Sequence, residues 1–222
     1  MKSLAFAAAL ATAALISPAN AADSVKYTVQ VDASWTAKSH PLDYPADAHF
    51  SGIIGATHNA KYSIFRDGGV PSAGLEKLSE EGKHAPLDSE IKSAIESGNA
   101  GVLFESGPLF DFPGQLTASF TADEAHPNVS VVMMVAPSPD WFTGVSNVAL
   151  RKNGKWVEKV TLKLWTWDAG TDAGTTYHAA DADSQPRQST RINAAAPFLG
   201  KDGLKPVGSI TFIRADKTAS VK

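Results

Sequence analysis

Apolar and polar positions alternate with a period of two along much of the chain. Val25, Tyr27, Val29 and Val31 fall on one side, and Lys26, Thr28, Gln30 and Asp32 on the other. A strand with one face in a core and one in water produces this pattern. Alternation, or a short apolar run bounded by turn residues, predicts further strands over residues 49–57, 62–65, 101–105, 116–121, 145–150, 156–165 and 207–214. Residues 129–136 are apolar at both parities, which predicts a central strand covered on two sides. Short strands separated by Gly, Pro and Asp signals point to an antiparallel sandwich.

Between Ala73 and Ser97 the apolar period lengthens to that of a helix. Leu87, Ile91, Ala94 and Ile95 share one face, Asp88 stands near the start, and Gly98 can end the turn. A shorter helix is expected over residues 75–80. The expected fold class is therefore all-β, with a helical insertion around residues 74–97 and no second domain.

The first 21 residues follow another logic. Lys2 precedes an apolar run from Leu4 to Ile16, and Ala19-Asn20-Ala21 supplies small residues where a signal peptidase cuts. The run is too short to span a bilayer. Residues 1–21 are read as a signal peptide and residues 22–222 as one exported domain starting at Ala22. No later stretch predicts a transmembrane segment. Removing one lysine takes the net charge from −3 to −3 − 1 = −4, which argues against a nucleic-acid partner. Cysteine is absent, so the fold must rest on its apolar core, with a metal as the other available staple. Periplasm or external medium is the expected location.

Candidate chemistry concentrates in Trp167-Asp168-Ala169-Gly170-Thr171-Asp172-Ala173-Gly174. Two aspartates, each followed two residues later by glycine, favour a tight loop. Such a loop can turn carboxylates and carbonyls toward one point, as Ca²⁺ requires, or can be a plain surface turn. A second segment, Pro137-Ser138-Pro139-Asp140-Trp141-Phe142, leaves the apolar central strand and re-enters the core. If both loops lie at one end of the sandwich, Asp140 joins the other two aspartates.

These two motifs, with Ala33-Ser34-Trp35, His40-Pro41-Leu42-Asp43-Tyr44-Pro45 and Phe50-Ser51-Gly52-Ile53-Ile54-Gly55-Ala56-Thr57-His58, resemble the spondin N-terminal (F-spondin) domain from about Val25 to Arg214. The resemblance implies a C2-like β-sandwich with Ca²⁺ held by loops at one end. It implies metal ligands at Asp140, Asp168 and Asp172, and it tips the choice from plain turn to metal. Animal members bind integrins, matrix or microbial glycans. This chain has no cysteine and holds none of the reeler or thrombospondin modules that accompany the domain in matrix proteins, so animal partners are not carried over.

Other chemistries find less support. No H-E-x-x-H, G-x-S-x-G or phosphate-binding glycine loop occurs. His178 stands close enough in sequence to Asp172 to neighbour a metal. Glu105 and Asp111 flank a proline loop and are the candidate pair for a hydrolase. Asp181 and Asp183 begin like an EF-hand loop, but Pro186 replaces the required glycine, so a solvated connection is expected there. The expected function is a non-enzymatic, Ca²⁺-dependent recognition or adhesion module for an extracellular or envelope glycan or protein. A periplasmic or secreted hydrolase and a structural envelope protein are the alternatives.

Overall fold

In the computed structural model, which describes residues 24–215, the opening alternation becomes strand β1 (Val25–Ala33), with Tyr27, Val29, Val31 and Ala33 buried. The signal-peptide reading of residues 1–21 lies outside the described residues. Strands β2 (His49–Phe50) and β3 (Ile54–His58) come next, followed by helices α1 (Ala73–Glu81) and α2 (Leu87–Glu96). Then come β4 (Ala100–Glu105), β5 (Gly114–Ala122), β6 (Asn128–Ala136) and β7 (Trp141–Ala149). A hairpin of β8 (Arg151–Lys152) and β9 (Lys155–Trp156) leads to β10 (Lys159–Leu164) and β11 (Thr166–Asp168). The order ends with β12 (Arg191–Ile192), β13 (Leu199–Gly200), β14 (Gly203–Leu204) and β15 (Gly208–Arg214).

One sheet runs β10-β15-β1-β5, and the other β12-β11-β7-β6-β3-β4 with β2 added to β6. The strand pairs in both are antiparallel. The main core fills the space between them, with Tyr27, Val29 and Val31 from β1 meeting Val129, Val131, Met133 and Val135 from β6. Val132, of opposite parity, joins a second cluster with Leu75, Leu78, Leu87 and Ile91 from the helices. The central strand is thus covered on both faces, by a sheet and by a helix pair.

The helices end where local chemistry ends them. The Ser72 hydroxyl accepts from the Leu75 N–H at the start of α1, and Gly82, at φ 65°, closes it. Gly98, at φ 70°, follows α2. Three expectations shift. The 49–57 strand is two strands, and 156–165 divides into β9 and β10. Residues 62–65 form no ladder, because Tyr62, Ile64 and Phe65 plug the second cluster from a loop.

Candidate metal centre

At the end of β6, Pro137 and Pro139 lack the N–H groups that would continue pairing. The Ser138 hydroxyl accepts from the Trp141 N–H at 3.0 Å, so the turn closes with Asp140 inside it. Asp140 is fully buried. Its Oδ2 accepts three consecutive backbone N–H groups, from Gly170 and Thr171 at 2.8 Å and Asp172 at 3.2 Å. Successive amides aimed at one point form an anion-binding nest. Gly170 makes the nest feasible with φ 84°, and a Cβ there would lie 2.6 Å from the Gln188 carbonyl oxygen.

The other oxygen of Asp140, Oδ1, is buried without a hydrogen-bond partner. Asp168 repeats this arrangement. It is the last residue of β11, opposite Trp141 of β7 and Arg191 of β12. Its Oδ2 accepts from Arg191 Nη2 at 3.0 Å, and its Oδ1 is buried and unpartnered. Burial pushes the Asp140 carboxyl up to about 6, and the Asp168 charge adds to the rise while the nest amides oppose it. Burial also raises Asp168, with Arg191 pulling it back. A fully buried carboxylate beside a partly buried one, each with an unsatisfied oxygen, is costly unless protonated or joined by a cation.

Asp172 is differently engaged. Its Oδ1 accepts from the Gly174 N–H and its Oδ2 from the Ala182 N–H, both at 2.6 Å. The loop is closed further by Ala173 N–H to the Ala182 carbonyl and Ser184 N–H to the Thr171 carbonyl, at 2.9 and 2.7 Å. Asp172 therefore braces the loop that carries the nest, and residues 181–184 are tied to it. Among the described residues no three His, Asp or Glu side chains form a ready ligand cluster.

Residues 25–200 match the family model described as Spondin_N. The chain belongs to the spondin N-terminal domain family. Spondin-2 of Rattus norvegicus is 31% identical over 202 residues, covering 85% of this chain and 61% of that protein. Spondin-2 of Homo sapiens is 30% identical with the same coverage. Spondin-1 of Rattus norvegicus is 32% identical over 86% of this chain and 24% of its own length. The chain thus spans 61% of the spondin-2 proteins and 24% of that spondin-1.

The spondin domain also brings residues to this end that the aspartate motifs do not announce. Glu76 and Glu80 lie one helical turn apart on α1. Burial raises the Glu80 carboxyl, the nearby Thr171 hydroxyl pulls it back, and the charges of Glu76 and Asp140 add to the rise. Glu76 pairs with Arg187. Lys77, Glu80 and Asp172 line a groove of about 320 Å³ beside the loop. Two acids at i and i+4 on a helix were the available signal, but nothing local shows which loop they meet. His178 is exposed and 3.4 Å from Asp47, outside the cluster. Glu105 bonds His84 Nδ1 at 2.7 Å. No helix among the described residues is long and apolar enough to cross a membrane.

Proposed function

We propose that this spondin domain is an exported, non-enzymatic recognition module whose binding end is organised by one Ca²⁺. The observation that carries the reading is the pair of buried, unpartnered oxygens on Asp140 and Asp168. A hard divalent cation suits an all-oxygen donor set, and it relieves the repulsion between these carboxylates. Asp140 and Asp168 would hold the ion, with backbone carbonyls and water completing its shell. Asp172 either turns from its loop amides to join them or supports the loop from where it stands. The ligand is an extracellular or envelope glycan or protein. A hydrolase has less support, because Glu105 is committed to His84.

Thermal melting in Ca²⁺ against chelator tests the metal. With a dissociation constant near 0.1 mM, typical of the tighter extracellular modules, ~1 mM Ca²⁺ adds about 1.4 kcal/mol. In a domain of this size that raises Tm by about 3–6 °C. Asp168→Asn should remove most of the shift. Equal curves in Ca²⁺ and chelator for the unsubstituted protein would return the aspartates to a plain turn. A glycan array, read with and without Ca²⁺, tests the recognition role.

A further inference from the structure

The two aspartates that would hold Ca²⁺ are neutralised unequally. Asp140 is fully buried, and its Oδ1 has no partner. Its Oδ2 meets backbone amides and the Thr171 hydroxyl, so its charge is answered by dipoles alone. Asp168 has a cation. Its Oδ2 accepts from Arg191 Nη2 at 3.0 Å, while its Oδ1 is buried and unpartnered. The two residues stand opposite each other across the β11–β12 ladder. Gln188 Oε1 accepts from Arg191 Nη1 at 3.2 Å, and the Gln188 N–H donates to the Gly170 carbonyl at 2.7 Å. The segment that braces the nest therefore also steers the guanidinium. The Arg191 side chain is 54% exposed and that of Asp168 18%, and both line an open groove of about 340 Å³.

Charge decides what this guanidinium does to a cation. Two carboxylates and one guanidinium leave a single negative charge, which a divalent ion overshoots. Without the guanidinium, the same ion balances the pair. We infer that Arg191 is a built-in counter-ion of this site, which stabilises the empty state and weakens Ca²⁺ binding by competing for Asp168. The inference rests on the Ca²⁺ reading of Asp140 and Asp168. Arg191 is then the residue that sets the affinity of the site. A half-exposed guanidinium calls for a water-like dielectric. At a separation of ~6 Å, repulsion between single and double charges is then worth about tenfold in affinity.

Calorimetric Ca²⁺ titration and melting in chelator, both at pH 7.5, test this on the intact protein, Arg191→Gln and Arg191→Lys. Arg191 belongs to a two-residue edge strand and its head is in solvent, so both variants keep the fold. Arg191→Gln should bind Ca²⁺ about tenfold more tightly and lose affinity more steeply as salt rises. In chelator it should melt below the unsubstituted protein. Arg191→Lys keeps the charge and should restore affinity to within about threefold of the original. Equal or weaker binding by Arg191→Gln, beside clear binding by the unsubstituted protein, would show that Arg191 merely orients Asp168 and overturns the inference. Tightening of the same size in Arg191→Lys would assign the effect to packing and overturn it as well. Absence of binding in all three proteins ends the Ca²⁺ reading itself, and this inference with it.

Discussion

Asp140 and Gly170 form the smallest functional unit in the molecule. One supplies a buried carboxylate, and the other lets three amides converge on it. The left-handed φ of 84° at Gly170 costs a non-glycine residue about 1–2 kcal/mol. A methyl at this position would also press on the Gln188 carbonyl at 2.6 Å, and that backbone is held by the Gln188 N–H to Gly170 carbonyl bond at 2.7 Å. Gly170→Ala is therefore expected to cost about 2–4 kcal/mol, adding backbone strain to overpacking. It should also weaken the response to Ca²⁺, because the nest that aims Asp140 is distorted. Urea denaturation in chelator, then in Ca²⁺, measures both effects. A loss below about 0.5 kcal/mol, within the range of an ordinary surface change, would mean that the nest is not rigid.

At the scale of elements, the helix pair supplies both a lid for the second core and a wall for the aspartate loop. α1 and α2 meet at Gly74, where a Cβ would fall 2.5 Å from Leu87 Cα and 2.7 Å from its nitrogen. The Gly74 N–H also donates to Glu90 Oε1 at 2.7 Å. Helix propensity alone predicts that Gly74→Ala stabilises by about 1 kcal/mol. The contact is with backbone that cannot rotate away, so overpacking, worth about 1–3 kcal/mol, should win. Net destabilisation in thermal melting is the expected sign, and stabilisation would show that the helices slide apart freely. Much of this level was legible in the chain. The period of two in β1 and the doubled apolar parity of β6 reflect burial on one face and on two. The 3.6 period found α2 because Leu87, Ile91 and Ala94 face one core. Residues 62–65 misled because apolar side chains can fill a cluster without pairing their backbone. The site was legible in part. Asp140 and Asp168 stood out by their turns, yet Asp168 closes a strand and does not sit in the loop. The hydrogen bonds of Asp172 to its own loop, and the approach of Glu80, depend on tertiary closure that spacing does not encode.

Across the whole molecule, a cysteine-free sandwich has its two cores to hold it, and the loop end works against them until its charge is neutralised. For Asp140 the sign is definite. Its folded pKa of about 6 lies above the ordinary 3.8, so between these values the native state holds a proton that the unfolded chain has released. Stability without metal therefore rises as pH falls from above 6 toward 4, by at most about 3 kcal/mol. Burial lowers the pKa of His40 and His58, and these imidazoles act in the opposite direction, favouring the unfolded state as they charge. Overall pH dependence mixes the two, but comparison with Asp140→Asn isolates the aspartate. The amide oxygen can still accept the nest N–H groups, while the amide nitrogen replaces the unsatisfied anion. In chelator at pH 7.5 the variant should be more stable than the unsubstituted protein, by up to about 3 kcal/mol, and near pH 4.5 the two should converge. With Ca²⁺ at pH 7.5 the order should narrow or reverse, because the ion stabilises only the protein that keeps both carboxylates, and lowering the pH should erase that benefit. Denaturant titrations of both proteins at the two pH values, with and without Ca²⁺, give the comparison. A variant less stable than the unsubstituted protein in chelator at pH 7.5 would show that the Asp140 charge is already compensated within the fold, leaving no vacancy for a cation to fill.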